Sequence, residues 1–311
     1  MLIITGTIAY DYIMDFPGAF GDHILPDQIH KINLSFIVSN FEKRRGGTAG
    51  NVSYTLGLLD TPNTLFSIAG KDFTEYDEAL QKFPSIDTSW IYVDHNKYTA
   101  TGFAMTDKKN NQIWGYFYGA ADGIAGLELK KVAKQNDLVL IGPSGAAGSM
   151  SLVKQCIEQK IEYMFDPGFI LTQVSDAELS LGVKHASYII GNDYEINLIK
   201  TRVKNWQKLF AGKVVITTLG EKGATIETKK KTYNIKSVKP KKVVDPTGAG
   251  DAWRAGFLSG IEKKFDIKTC AQMGATAASF AIEQYGTQEH SFTKEEFISR
   301  YRQYSGNLLS L

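Results

Sequence analysis

The chain has 311 residues, of which 43% are hydrophobic and 22% charged, a composition typical of a globular protein with a sizeable core. Lysine and arginine number 35 against 33 acidic residues, and this balance argues against a nucleic-acid-binding protein. The 2 cysteines and 5 histidines show no metal-ligand spacing, which argues against a His/Cys metal centre.

The predicted elements begin with a strand over Leu2–Ile4 that ends at Gly6, without the basic segment of a signal peptide. Helices are predicted over 49–59 and 74–82, with a strand over Thr64–Ala69 between them. Further compact strands, mostly separated by helical segments, are predicted at Leu138–Ile141, Tyr163–Phe165, Tyr188–Ile190 and Val214–Thr217. The last third is helical, at 250–263, 268–284 and 293–303.

Alternation of short strands with helices predicts an α/β fold, with a mostly parallel central sheet covered by helices on both faces. The sequence contains no run of about 18 apolar residues, so we expect no transmembrane helix and a cytoplasmic location. It also shows no internal repeat and no linker, and we therefore expect residues 1–311 to form a single domain.

Three segments depart from this pattern because they alternate polar and apolar residues, as half-exposed antiparallel strands do. They are 27–42, 98–105 and 112–118, and the last two are joined by a turn-like segment at 107–111. We expect insertions at about 12–45 and 95–120 to form a small antiparallel β lid over a site.

The strongest motif is D-P-T-G-A-G-D at residues 245–251, where a strand enters a glycine-rich turn that opens the helix over 250–263. Gly248 and Gly250 allow a tight turn, and the backbone amides of the helix start, with the helix dipole, form an anion site. We expect the amides of Gly248, Ala249 and Gly250 to hold a phosphoryl group. The chain has no GxxxxGK[ST] loop, and Trp253 occupies the third glycine position of a dinucleotide fingerprint.

Asp251 lies in the first turn of the same helix. One interpretation is a stabilising carboxylate at a helix N-terminus, which contributes about 0.5–1 kcal/mol. The other, which we favour, is a catalytic base beside the anion site that orients a substrate hydroxyl and accepts its proton. We expect the helix dipole to keep Asp251 ionised and therefore weakly basic.

Five motifs in order along nearly the whole chain carry a family resemblance. They are G-T-I-A-Y-D at 6–11, G-G-T-A-G-N at 46–51, N-D-Y-E at 192–195, T-L-G-E-K-G at 218–223 and D-P-T-G-A-G-D at 245–251. The chain resembles the ribokinase (PfkB) family of carbohydrate and nucleoside kinases. The resemblance implies a ribokinase-like fold and an ATP-dependent kinase that phosphorylates a hydroxymethyl group.

On the acceptor side, the resemblance implies that Asp11 and Asn51 bind substrate hydroxyls and that Gly46 and Gly47 let backbone approach the sugar. Taken alone, the two glycines would be interpreted as a turn. For a purine acceptor, Tyr116 and Phe117 in the aromatic strand at 112–118 would offer a stacking surface. Packing of these aromatic side chains within the small sheet is an equal alternative.

On the nucleotide side, the resemblance implies that ATP contacts Asn192, Thr218, Gly220 and Gly223 together with Gly248 and Gly250. Glu195 would act on Mg²⁺ through water, since Mg²⁺ keeps much of its hydration. The alternative for Asn192 and Glu195 is a helix capping box, which is compatible with the first. The resemblance also raises K⁺ as a monovalent cation, because some members of the family use one.

Within the family, the chain is most similar to bacterial adenosine kinases, on T-I-A-Y-D at 7–11, H-I-L-P-D-Q at 23–28, D-P-T at 245–247, D-A-W-R-A-G at 251–256 and G-T-Q at 286–288. The leading hypothesis is therefore phosphorylation of the 5′-hydroxyl of adenosine to give AMP. The alternatives are another nucleoside such as inosine or cytidine, a sugar such as ribose, fructose or 2-keto-3-deoxygluconate, and a non-catalytic nucleoside-binding protein. An exposed apolar lid face is a surface that a second lid can bury, so a homodimer through the lid is a further expectation.

Overall fold

The computed structural model of the chain describes residues 1–24, 33–109 and 111–311. Its strands are, in chain order, β1 (Leu2–Thr5), β2 (Ala9–Phe16), β3 (Asn40–Gly46), β4 (Asn63–Leu65), β5 (Ser67–Gly70), β6 (Ile86–Asp87), β7 (Ile91–Asp94), β8 (Ala100–Asp107), β9 (Gln112–Phe117), β10 (Leu138–Ile141), β11 (Glu162–Phe165), β12 (Tyr188–Asn192), β13 (Val214–Thr218), β14 (Ala224–Glu227) and β15 (Thr232–Ile235).

The α-helices are α1 (Thr48–Leu58), α2 (Thr74–Leu80), α3 (Ala146–Gln159), α4 (Asp176–His185), α5 (Asp193–Arg202), α6 (Trp206–Phe210), α7 (Ala249–Glu262), α8 (Ile267–Ala281) and α9 (Lys294–Ser305). Within the described ranges, none of these helices combines the length and the apolar character that crossing a bilayer requires.

The large sheet has the strand order β15-β14-β13-β12-β11-β10-β1-β4-β6. Neighbouring strands from β13 to β6 pair in parallel, whereas β14 and β15 are added at one edge as antiparallel strands. The predicted mostly parallel sheet is thus confirmed. The antiparallel edge was not predicted, although the short connection from β13 to β14 could not accommodate a parallel crossover.

Helices cover both faces of the large sheet. In β1, successive side chains point to opposite faces and pack against different helices. Ile3 packs in a cluster with the inward residues of α3, α4 and α5, whereas Leu2 and Ile4 pack with those of α1, α2, α7 and α8. Because both faces are buried, these strands are continuous apolar runs. The predicted two-sided arrangement is confirmed.

A four-stranded sheet, here called the lid, has the strand order β3-β2-β8-β9. The β2–β3 and β8–β9 pairs are antiparallel, but β2 and β8 pair in parallel along their whole length. A parallel pair needs a long crossover, and the chain supplies one by running through α1 and α2 between these strands. The lid is therefore antiparallel only in part.

Two strand predictions need correction. Of the predicted strand at 27–42, residues 27–32 lie outside the described residues, as do residues 25–28 of the H-I-L-P-D-Q motif, and residues 33–39 form no strand. The apolar alternation there arises partly because Phe36 packs on Phe16 and Phe20, with ring centroids 4.7 and 5.5 Å apart. The strand of this region is β3, which lies later in the chain. Because β3 is rich in charged residues, the sequence pattern did not indicate its full extent.

The predicted strand at Thr64–Ala69 is in fact two strands. Residues up to Leu65 belong to β4 in the large sheet, and the chain then continues as β5, which pairs with β7 in a separate small sheet. All of these residues are buried or nearly so, so an apolar run alone could not reveal the break at Phe66.

Both cysteines are free and fully buried within helices, Cys156 in α3 and Cys270 in α8. Burial raises the pKa of each thiol to about 12. The thiols are therefore protonated at neutral pH and serve as packing groups.

Candidate active site

The parallel strands of the large sheet end at a common edge, where two predicted site residues and one that was not predicted, Asp166, gather. Asp166 follows β11, Asn192 ends β12 and Thr218 ends β13. Crevices beyond the carboxyl ends of parallel strands are the usual ligand sites of open α/β sheets. The start of α7 and the lid complete this edge.

The start of α7 has the geometry of an anion site. Gly248 adopts a left-handed backbone with φ +78°, and an added β-carbon would lie 3.0 Å from the side chain of Thr287, so glycine is required. No side chain caps the helix, and its first amides point out of the helix end. The preceding loop is held by Asp245, whose carboxylate accepts from the amides of Thr247 at 2.9 Å and Gly286 at 3.0 Å.

Asp251 stands beside this anion site in the first turn of α7. Its Oδ2 accepts a hydrogen bond of 2.8 Å from Nδ2 of Asn51, on α1. Burial raises the pKa of Asp251 to about 6, helped by the charges of Asp166 and Glu195 and opposed by Arg254 and Asn51. Desolvation thus outweighs the helix dipole: the carboxylate is still mostly ionised at neutral pH but is a better base than the sequence predicted.

A buried ion pair supports the first turn of α7. The Nε and Nη2 atoms of Arg254 donate to the two carboxylate oxygens of Asp166, the second at 2.8 Å, and Nη1 donates to the carbonyl of Gly250 at 3.0 Å. Although burial opposes its charge, Asp166 and then Asp251 raise the pKa of Arg254. The pair ties the anion loop to the end of β11.

Asp11, on β2 of the lid, lies close enough to Asp251 for their charges to interact. Added β-carbons at Gly46 and Gly102 would lie 2.3 and 2.6 Å from its carboxylate oxygens, so two glycines make room for it. Burial and then the charge of Asp251 raise the pKa of Asp11 to about 6. The two carboxylates are therefore electrostatically coupled, as groups that share one small substrate would be.

An aromatic pair on β9 lies on the Asp11 face of the lid. Tyr116 is the register partner of Gly102, which is in turn the partner of Asp11. The rings of Trp114 and Tyr116 stack with centroids 5.5 Å apart and planes 7° from parallel. Phe117 points to the opposite face because the side chains of neighbouring residues in a strand alternate between faces. On the Asp11 face, the aromatic partner of Tyr116 is therefore Trp114.

The residues predicted for the nucleotide side also lie together. Asn192 and Thr218 are register partners at the ends of β12 and β13. The following turn contains Gly220 and Gly223 with φ values of +57° and +93°. Because an added β-carbon at Gly223 would lie 2.0 Å from the carbonyl oxygen of Ile235, this turn tolerates no side chain there.

The capping box at the start of α5 is present. Asn192 accepts from the amide of Glu195 at 2.8 Å, and Oε2 of Glu195 accepts from the amide of Asn192 at 2.7 Å. Burial raises the pKa of Glu195, with the charge of Asp166 adding to the effect. The interpretation of Asn192 and Glu195 as a helix capping box is therefore correct. The carboxylate of Glu195 lies partly buried at the carboxyl edge of the large sheet.

The charges at this edge fit a divalent cation held mainly by phosphate oxygens. The charges of Asp166 and Glu195 raise the pKa of Asp251, and the charge of Asp166 raises that of Glu195, whereas Arg254 lowers both. Among the described residues, no cluster of three ligating side chains could hold a metal alone. Mg²⁺ in kinase sites needs few protein ligands, and when bound it neutralises charge on the transferred phosphoryl group.

The profile of the pfkB family carbohydrate kinases matches residues 15–294, most of the chain. The chain belongs to this family. It is therefore a phosphotransferase with an alcohol group as acceptor, and its ribokinase-like fold is the one that the motifs implied.

The kinase is similar to proteins that are named nucleoside kinases, a more specific term than the name of the family. A nucleoside kinase of Methanocaldococcus jannaschii is 31% identical over 301 residues, which cover 95% of this chain and 94% of the relative. The structure of Burkholderia thailandensis nucleoside kinase in complex with inosine superposes with a TM-score of 0.89 and 31% identity, covering 99% of this chain and 100% of that one. Its complex with ADP-inosine gives a TM-score of 0.84 and 34% identity, covering 99% and 97%.

Sequence reasoning missed several residues that hold this site in place. Asp166 follows a predicted strand and precedes Pro167, and the rule that ligands bind beyond the carboxyl ends of parallel strands would have found it. Tyr76 and Gln288 also lie at the site, although they come from α2 and from the loop before α9. No local pattern indicates that these two residues meet.

Replacing Gly46 by alanine should weaken acceptor binding by the kinase. The new methyl group would displace the Asp11 carboxylate, and losing a hydrogen bond to a charged group raises KM for the acceptor roughly ten- to a hundredfold. KM for ATP should change little. Steady-state kinetics check this, with Gly115→Ala as the control, because an added β-carbon there would have no heavy atom of the described residues within 4 Å except in its chain neighbours. Equal effects of the two variants would contradict the role of Gly46.

Proposed function

We propose that this kinase transfers the γ-phosphoryl group of ATP to the 5′-hydroxyl of a nucleoside, with adenosine as the leading acceptor. The observation that carries the proposal is the Asp251 carboxylate beside the uncapped start of α7, with its charge acting on Asp11, which shares a lid face with an aromatic pair. We place its action in the cytoplasm, where ATP is available.

In this proposal the chain contributes positioning and charge. Asp11 orients acceptor hydroxyls, and Asp251 accepts the proton of the attacking hydroxyl as its oxygen forms a bond to the γ-phosphorus. The bond between that phosphorus and the β–γ bridging oxygen breaks, and its electron pair leaves with ADP. The amides of Gly248, Ala249 and Gly250 stabilise charge on the transferred group.

The preference for a nucleoside over a bare sugar rests on the lid. Trp114 and Tyr116 present parallel rings on the face that carries Asp11, and a base stacks on such rings, whereas ribose or fructose gains nothing from them. The relatives named nucleoside kinases support the same choice.

Inosine is the second candidate acceptor. A structure similar along nearly the whole chain was solved with inosine, so a 6-oxopurine fits the fold as a 6-aminopurine would. Adenosine remains the leading acceptor because the D-A-W-R-A-G and G-T-Q segments resemble those of bacterial adenosine kinases.

A panel of acceptors tests the proposal directly. Purified protein is incubated with Mg-ATP and adenosine, inosine, cytidine, ribose or fructose, in KCl and in NaCl, and ADP and the phosphorylated product are quantified. We expect the highest kcat/KM for adenosine, no turnover after chelation of Mg²⁺, and faster turnover in KCl. A higher kcat/KM for a sugar would refute the nucleoside assignment, and no turnover at all would favour a binding protein.

The aromatic pair provides a sharper test of acceptor class. Tyr116→Ala and Trp114→Ala should raise KM for the nucleoside about 5- to 150-fold, the equivalent of ~1–3 kcal/mol of stacking, with little change in kcat. Phe117→Ala is the matched control because its side chain lies on the other face of the same strand. A comparable rise in KM for Phe117→Ala would show that the effect is structural and not stacking.

The opposite face of the lid supports the expected homodimer. Tyr12 stacks between Phe41 and Phe103, with centroids 5.5 and 5.4 Å away, and both phenylalanines are exposed, at 60% and 45%. A contiguous apolar face of this kind marks an interaction surface. We expect a dimer in sedimentation velocity and a monomer, with an unchanged melting temperature, for Phe41→Asp. A wild-type monomer at micromolar concentration would contradict this.

A further inference from the structure

Three buried polar side chains form a network behind the Asp251 carboxylate. Gln288 donates from Nε2 to Oδ1 of Asn51 at 2.9 Å and also to the hydroxyl of Tyr76. Asn51 in turn donates from Nδ2 to Asp251, and Tyr76 donates to the carbonyl of Gly46 at 2.8 Å. All three side chains are at most 4% exposed, so water does not compete for these bonds.

The donor directions in this network leave one consistent arrangement. Because the Tyr76 proton goes to the Gly46 carbonyl, the hydroxyl can only accept from Gln288, which must therefore present its amino group. The same amino group meets Asn51, so Asn51 must present its carbonyl oxygen to Gln288. The amide of Asn51 then has only its amino group left to turn toward Asp251.

We propose that Gln288 is a positioning residue for catalysis, which fixes the side-chain amide of Asn51 so that it donates to the Asp251 carboxylate. The inference rests on the proposed function, since it assigns Asp251 as the base. Gln288 itself does not touch the substrate in this account. It acts through its bond to Asn51, and that bond persists without the second one, to Tyr76.

Gln288→Glu adds a charge near Asp251, but Gln288→Met leaves the other charges around Asp251 unchanged. They are Arg254 on the same helix, Asp166 after β11, Glu195 on α5 and Asp11 on the lid. An amide that loses its fixed orientation donates less to the carboxylate, and a weaker donor favours the protonated acid. The acid limb of the pH profile, which reports the coupled Asp11 and Asp251 carboxylates, should therefore move to higher pH.

The experiment compares wild type, Gln288→Met, Gln288→Glu and Tyr76→Phe in kcat and in the pH dependence of kcat/KM for the best acceptor of the panel. Gln288→Met removes the donor with little change of volume. Gln288→Glu offers Asn51 only carboxylate oxygens, which turns the amide around. Tyr76→Phe removes the second bond of Gln288 but leaves its bond to Asn51. Melting temperatures show that each variant is folded at the assay temperature.

We expect both Gln288 variants to lower kcat less than loss of the base itself, which is worth at least about 10²-fold. Their acid limb should shift up by about one pH unit, with KM for ATP unchanged, while Tyr76→Phe keeps the wild-type limb. If Gln288→Met is unstable, Gln288→Leu, which also removes the donor without adding a charge, takes its place. The positioning role alone is overturned if the wild type is active and its folded Gln288 variants keep both the kcat and the acid limb of the wild type. It is also overturned if Tyr76→Phe shifts the acid limb equally. A wild type that phosphorylates no acceptor overturns the proposed function and this role with it.

Discussion

Replacing Asp251 by asparagine is expected to lower kcat roughly 10²- to 10⁴-fold, the range usually lost with a general base, while the KM values for ATP and acceptor change little. Asparagine keeps the shape of the side chain and can still accept from Asn51, but it cannot take the proton of the attacking hydroxyl. Steady-state kinetics with the best acceptor measure this. A variant that retains wild-type turnover would show that another group serves as base.

The same assignment predicts the pH dependence of the wild type. The carboxylates of Asp251 and Asp11 must be ionised to act, and their pKa values are each raised to about 6. Activity expressed as kcat/KM should therefore fall as the pH decreases through about 6, whereas carboxylates with ordinary pKa values would keep the enzyme active to about pH 4. In Asp251→Asn, where residual activity is measurable, the contribution of Asp251 should disappear and the limb of Asp11 should move to lower pH, because the charge of Asp251 no longer raises the pKa of Asp11.

Stability provides the control for Asp251→Asn. Since the folded protein holds the proton of Asp251 more tightly than the unfolded chain does, ionisation of this group opposes folding, and the opposition is complete above about pH 6. Removing the charge should leave the melting temperature at pH 7.5 unchanged or raise it. A marked decrease would mean that the lost activity reflects misfolding.

Replacing Asp166 by asparagine should lower the free energy of unfolding by about 3–5 kcal/mol, as removal of one partner from a buried ion pair does. The change leaves the guanidinium of Arg254 buried without its bidentate acceptor and releases its hold on the first turn of α7. Denaturant unfolding at pH 7.5 measures the difference. Turnover should fall as well, because Arg254 also supports the Gly250 carbonyl.

Asp176→Asn is the matched control. Asp176 also accepts from an arginine, Arg202, at 2.7 Å, but it is 67% exposed, where ion pairs contribute about 0–1 kcal/mol. Asp166, by contrast, is only 2% exposed. Similar losses of stability in the two variants would mean that burial does not determine the strength of the Asp166 pair.

Sequence patterns predicted the parts of this protein that local chemistry determines. The apolar runs of β10 to β13 are buried on both faces, and Gly248 before Asp251 is required by a left-handed turn. Each of these properties belongs to a few consecutive residues, and the kinase family followed from such segments taken together.

The features that were missed depend on contacts between distant segments. Asp166 meets Arg254 across 88 positions, and Gln288 meets Asn51 across 237. The pKa of Asp251 was misjudged for the same reason: the helix dipole is visible in the sequence, whereas desolvation arises only when α1, α7 and the end of β11 close around the group. In the lid, the alternation of side chains along a strand places Tyr116 and Phe117 on opposite faces. Which of the two lies on the Asp11 face depends on the pairing of β9 with β8.

The edges of the large sheet have a consequence for the protein at high concentration. An open sheet presents unpaired backbone groups at each end, and these can recruit further chains into aggregates. Here β6 is only two residues long, and β15 at the other end follows the exposed Lys229, Lys230 and Lys231, whose charges repel a second copy of the same edge. Strand-to-strand polymerisation is thus disfavoured at both ends of the sheet.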